Sequence, residues 1–163
     1  MNIAVREFDT DSLSQMLSIW NEVIDDGIAF PETDFLTTES GLEFFSNQSF
    51  TGIAADADSD EILGLYILHP NNVGRCGHIS NASYAVSKKY RGLHVGEKLI
   101  IHSIEKAKQL GFRIIQFNAV VSSNYSALHL YKKLGFVQLG TIPEGFLLKD
   151  GTYQDITVHY LAL

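Results

Sequence analysis

The stretch that most constrains this chain lies between residues 78 and 120, where the apolar period changes from two to about 3.6 and back. HISNASYAV (residues 78–86) alternates like a half-buried strand, residues 95–110 are strongly periodic as a helix, and RIIQFNAV (113–120) is short and largely apolar. Strand, helix and strand in this order form a crossover, which lays the two strands parallel. The apolar run of the second strand suits a parallel strand covered on both faces.

The flanking segments read differently. Residues 2–8 alternate as a first strand, and Asp9 or Thr10 caps a helix to about residue 25, with Leu13, Met16, Leu17 and Trp20 on one face. GIAFPETDFL (27–36) is a loop, and Thr37 or Thr38 starts a second helix through Phe44 and Phe45. Strands at 51–55 and 62–68 flank the acidic turn DADSDE, and the second stops at His69-Pro70 before the polar loop NNVGRCG. Gly111 ends the crossover helix, Gly135 ends a helix over 124–134, and strands follow near 136–142 and 153–161. The order is β-α-α-β-β-β-α-β-α-β-β, with antiparallel ends around a parallel centre. The expected class is α+β: a mixed, mostly antiparallel sheet of about seven strands with about four helices.

The 163 residues, 45% of them apolar, suit one domain over 1–163 with a full core. A net charge of −7 disfavours a general nucleic-acid or anionic-membrane role. A single cysteine, Cys76, leaves no disulfide framework, and the six histidines lack helical zinc spacing, so no metal is expected. His78 is two residues from Cys76, but nothing places a third group for thiol catalysis, and a loop or buried thiol is the expectation. MNIAVREFDT does not read as a secretory signal and no apolar run is long enough to span a bilayer, so a cytoplasmic location is expected.

Within the crossover, the hinge VSKKYRGLHVG carries Lys88, Lys89 and Arg91, then Gly92 and Gly96 at the start of the helix. Amides at a helix start lack intrahelical partners and sit at the positive end of the helix dipole, and glycine keeps bulk away from an approaching phosphate. A pyrophosphate site is one reading, and a plain helix start is the other. A dinucleotide fold fails on detail, because G-x-G-x-x-G is absent and there is one crossover.

Strand, basic hinge, RGLHVG and helix together resemble motif A of the GNAT superfamily of acyl-CoA N-acyltransferases, Q/R-x-x-G-x-G/A. It maps to Arg91, His94 and Gly96, with His94 where the family usually has glycine. NYSALHLYKKLGF (124–136) matches motif B through Asn124, Ala127, Tyr131, Gly135 and Phe136. The resemblance implies a splayed GNAT sheet, acetyl-CoA as cosubstrate and a homodimer by analogy. It also implies cofactor contacts from Tyr84, Ala85, Val86, Arg91, Gly92, Leu93, His94, Val95, Gly96, Glu97, Asn124 and Ser126. By the same resemblance, Asn124 contacts the pantetheine arm, Tyr131 acts as general acid beside the CoA sulfur, and a backbone N–H at a bulge near residues 84–86 polarises the carbonyl. Without the second motif, Tyr131 reads as one more aromatic on a buried helix face.

PNNVGRCGHISNASYAV and IIQFNAVVSSN look like a branch acting on free amino acids, including fungal enzymes that acetylate proline analogues. There Asn81 and Asn118 fall on the two central strands as acceptor contacts, and a neutral amide can hold either a carboxylate or an amine. Asn118 could equally satisfy a backbone group at the splay. The loop with Phe30, Pro31 and Glu32 resembles the acceptor-pocket loop of phosphinothricin-type acetyltransferases, or else covers the core edge with Phe30 and Phe35. Gly145, Phe146, Asp150, Tyr153 and Asp155 read as a hairpin closing the other side of the pocket. Residues 78–86 contain no acid, which leaves the base among His78, Glu32, Asp155, water, or no dedicated group. The expected activity is acetylation of a small amino acid or analogue. The alternatives are a protein N-terminus, lysine or polyamine acceptor, or a non-catalytic acyl-CoA sensor.

Overall fold

The computed structural model describes residues 1–163. Its elements are β1 (Ile3–Glu7), α1 (Leu13–Asp26), α2 (Thr38–Ser46), β2 (Phe50–Asp56), β3 (Ile62–Pro70), β4 (Ile79–Val86), α3 (Val95–Gln109), β5 (Ile114–Val121), α4 (Tyr125–Lys133), β6 (Val137–Leu147) and β7 (Tyr153–Ala162). The seven strands form one sheet in the order β1-β2-β3-β4-β5-β7-β6. The crossover makes β4 and β5 the one parallel pair, and every other neighbour is antiparallel. No helix is long and apolar enough to cross a membrane.

Local signals account for the helix boundaries. Thr37 accepts from the Ser40 amide while the Ser40 hydroxyl accepts from the Thr37 amide, a capping box that starts α2. Gly27 follows α1 in the left-handed conformation. Leu13, Met16, Leu17, Trp20 and Val23 of α1 bury against Phe45 of α2 and Ile53, Leu65, Ile67 and Ala85 of the sheet. On the other face, Val95, Leu99, Ile100 and Ala107 of α3 pack on Leu63, Tyr66, Leu68, Ile115 and Phe117.

Gly64 lets α3 lie this close. A Cβ there would sit 2.7 Å from the Ala85 carbonyl oxygen and 3.2 Å from side-chain carbons of Leu99 and Val95. The first turn of α3 is thereby seated directly on β3, next to the end of β4.

Three segments differ from the sequence reading. β3 runs on through His69 to Pro70. β6 reaches Leu147 rather than stopping near residue 142. It is an edge strand, which tolerates Pro143, and a register shift between Ile142 and Phe146 absorbs Pro143, Glu144 and Gly145. The expected bulge at residues 84–86 is absent, because β4 pairs with β3 in unbroken register from Ser80 to Val86.

Candidate active site

Between β4 and β5 the ladder ends almost where it begins. Ile79 pairs with Ile114 and Ser80 with Ile115, and nothing further pairs along the two strands. The β5-facing edge of β4 over residues 81–86 therefore opens on a gap. The site is built around this gap, with α3 and α4 on one face of the sheet and α1 and α2 on the other.

At the mouth of the gap, the turn Lys88–Tyr90 leads into α3. The amides of Gly92, His94, Val95, Gly96 and Glu97 donate to no carbonyl or side chain. Gly96 has only ordinary neighbours: a Cβ would meet Leu130 and Val86 carbons at 3.6 and 3.7 Å. Packing within the chain does not require a glycine there, so the bare surface beside unpaired amides fits an approaching anion. His94 occupies the left-handed region, φ 61°, in the place of the family's glycine. Its ring is exposed, with Nδ1 3.2 Å from Glu97 Oε2, so it covers none of these amides. Glu97 also takes Lys133 of α4 at 2.6 Å, and these two partners hold its carboxyl below the usual range. The contact ties the start of α3 to α4.

The hinge cations are already paired. Lys88 and Arg91 both reach Asp26 of α1, at 2.6 and 2.9 Å, and Lys89 reaches Glu61 at 2.9 Å. Leu93 is exposed at 46%, while Val95 is buried in the core under α3. Of the cofactor residues expected from the sequence, Val95 and Glu97 present their amides to the hinge while their side chains are occupied within the chain. Tyr84 likewise turns its ring into the α3 face, its hydroxyl 2.7 Å from Ser103, and Ala85 turns the other way into the α1 core. Only their backbones can serve the gap.

Tyr131 lies on α4 with its ring 4.5 Å from Phe117 and 5.5 Å from Phe136, centroid to centroid. It is half-buried, its hydroxyl makes no hydrogen bond, and burial pushes the phenol well above its ordinary pKa. Asn124 caps α4, its Oδ1 accepting weakly from Ala127 at 3.4 Å, which leaves the amide NH2 free. Ser126 is exposed on the first turn of α4.

On the opposite face of the gap the structure brings Asn81 and Asn118 together through a residue the sequence reading missed. Asn71 Oδ1 accepts from Asn118 at 2.6 Å and from Asn81 at 3.2 Å. Gln116, also missed, donates to Asn118 Oδ1 at 3.0 Å. Asn118 lies in the register shift between Phe117 and Val120, so its side chain bonds other amides rather than a backbone group. The polar pair NN after Pro70 was the available signal, but only the β3–β4 register carries Asn71 to β5.

Several expected residues are placed elsewhere. Phe30 is 7% exposed and its ring lies tilted against Trp20, centroids 4.4 Å apart, so it belongs to the α1–α2 core rather than to a pocket wall. Glu32 is exposed on the same loop. His78 lines a cavity of about 440 Å³ with Arg113, Ile114, Ala162 and Leu163 at the far end of the sheet. Six strand residues, roughly 20 Å, separate it from Tyr84, which removes it as a base. Asp155 accepts from the Glu144 amide at 3.0 Å and so fixes the bulge of β6, where Glu144 is left-handed at φ 55°. Cys76 is an exposed free thiol. No three His, Cys, Asp or Glu side chains converge as metal ligands would.

Comparison with known proteins matches residues 16–136 to the Acetyltransferase (GNAT) family. N-acetyltransferase aca1 of Schizosaccharomyces pombe is 28% identical, over 84% of this chain and 73% of its own length. An L-methionine sulfoximine/L-methionine sulfone acetyltransferase of Pseudomonas aeruginosa is 25% identical, over 100% and 96%. Among solved structures, a GCN5-related N-acetyltransferase from Kribbella flavida superimposes with a TM-score of 0.91 at 32% identity, covering 99% of this chain and 98% of that one.

Proposed function

The chain belongs to the GNAT acetyltransferase family, and from that premise we propose that it acetylates the amine of a small amino acid or amino-acid analogue, by direct attack on acetyl-CoA in a ternary complex. The observation that carries this reading is the amide cluster of Asn71, Asn81, Gln116 and Asn118 beside the open gap. Neutral amides offer donors to a carboxylate without the cost of a buried unpaired charge. The relative named for methionine sulfoximine and methionine sulfone supports the same acceptor class.

The thioester supplies the activated acyl group, and the chain's own residues supply position and protons. The unpaired amides of Gly92 and of residues 94–97 hold the pyrophosphate at the start of α3. The free amide of Asn124 takes the pantetheine arm. Backbone N–H groups of β4 that face the gap polarise the carbonyl without the bulge expected there. Tyr131 protonates the departing sulfur, and its burial keeps the phenol loaded throughout the neutral range. The amide cluster orients the acceptor from the α1–α2 face, and proximity supplies much of the remaining rate. With no carboxylate on β4, and with Glu32 and Asp155 placed away from the gap, the ammonium proton goes to water.

The test is thiol release from acetyl-CoA across a panel of amino acids, polyamines and peptides, with Tyr131→Phe alongside. The reading expects turnover on amino acids and a loss of about 10²–10⁴ in kcat for the variant. Preference for peptides or polyamines would move the acceptor class. Acetyl-CoA binding with no turnover on any acceptor would make the protein a sensor.

A further inference from the structure

The last two turns of α1 break a local rule. Glu22, Asp25 and Asp26 stand at the negative end of the helix dipole, and the last turn holds no basic residue. Carboxylates there are unfavourable unless donors from elsewhere offset them, and here each one has a partner from outside the helix. Glu22 Oε2 accepts from the Lys88 amide at 2.9 Å. Asp26 takes Lys88 Nζ on one oxygen and Arg91 on the other. Asp25 meets Lys149, at the tip of the β6–β7 hairpin, at 3.2 Å.

Asp26 has the strongest grip. Its side chain is 14% exposed, and although burial alone would raise its pKa, hydrogen bonds from Lys88 and Arg91 outweigh that and hold it below the usual range. Arg91 is further directed by its Nε, 3.4 Å from the Val86 carbonyl. Both cations thus point back at α1, while the unpaired amides of Gly92 and of residues 94–97 lie on the following stretch.

We propose that Asp26, assisted by Glu22, is a positioning residue for acetyl-CoA: it uses Lys88 and Arg91 as struts that fix the hinge, and the backbone amides rather than these side chains hold the pyrophosphate. The proposal rests on the acetyl-CoA reading above. It also gives Arg91 a role different from that of a phosphate ligand, and the two roles predict opposite signs. If Arg91 and Lys88 bound phosphate, removing Asp26 would release two cations and tighten binding. As struts, they lose their anchor with Asp26 and binding weakens.

The experiment is titration of acetyl-CoA and desulfo-CoA into the full chain by calorimetry, for wild type, Asp26→Asn, Arg91→Gln, the double variant and Asp26→Glu. Glu105→Gln, on a surface pair with Lys108, serves as a control of equal charge change. The expected result is a Kd raised roughly three- to tenfold in either single variant, as for an ion pair of modest worth. The double variant should be no weaker than the worse single one, because the two residues act as a unit. Asp26→Glu should recover most of the affinity, the control should match wild type, and KM for the acceptor should stay within about twofold of wild type. Tighter binding by Asp26→Asn overturns the proposal in favour of direct phosphate contact. Unchanged Kd with a lowered melting temperature overturns it in favour of a purely structural pair. A wild-type chain that binds neither ligand overturns the acetyl-CoA reading and this proposal together, which separates the two failures.

Discussion

The ring of Tyr131 on α4 lies 4.5 Å from the ring of Phe117 on β5, and this contact sets the phenol on the α3–α4 face beside the gap. Phe117 stacks in turn on Phe136 at 4.8 Å, so the motif around Gly135-Phe136 supports the tyrosine from below. An aromatic shelf of this kind fixes a ring without spending its hydroxyl.

The same burial has a consequence at high pH. Tyr66, Tyr84 and Tyr131 all have phenols pushed above the ordinary value of 10.0 by burial. In the unfolded chain they ionise first, so stability is fully present below about pH 10 and is lost as pH rises toward the raised folded values. Urea denaturation at stepped pH should give a flat midpoint to about pH 9 and a falling one above 10. Tyrosinate absorbance should appear together with unfolding; ionisation of these residues in the folded chain near pH 10 would contradict the placement.

Gly96→Ala separates stability from binding. A Cβ at that position meets carbons no closer than 3.6 Å, and alanine is the better helix former by about 0.5–1 kcal/mol. The variant should be as stable as wild type or more so, yet bind acetyl-CoA at least tenfold more weakly, because the methyl group enters the space beside the unpaired amides. Denaturation midpoints and a CoA titration on the same sample check both halves.

Asn71→Ala tests the amide cluster. Asn71 Oδ1 is the acceptor shared by Asn81 and Asn118, so its removal leaves both amides without their common partner. KM for the acceptor should rise about tenfold, the scale of one or two hydrogen bonds, with KM for acetyl-CoA unchanged. Steady-state kinetics with each substrate varied in turn read the two constants separately.

How much of this was legible in the sequence follows from distance along the chain. The crossover was visible because strand and helix periods are local, and so was the cap at Thr37. Motif B fixed Asn124 and Tyr131 within one helix. Asn71 was not legible, because 47 residues separate it from Asn118 and only the sheet brings them together. Neither was the role of Asp26, 65 residues from Arg91, since a helix-end carboxylate looks merely unfavourable until its partners are placed. Phe30 stayed open between two places for a related reason: an aromatic in a loop can wall a pocket or cover the core edge, and only the fold sets it against Trp20. The extension of β6 past Pro143 depends on its being an edge strand, a property of sheet order alone.

The most direct test of the central claim compares an amino acid with its own carboxamide as acceptor, in the wild-type chain and in Asn81→Ala/Asn118→Ala. The account predicts that wild type acetylates the free acid with a kcat/KM at least tenfold above the amide, and that the double variant loses that preference. Equal use of acid and amide by wild type would contradict it.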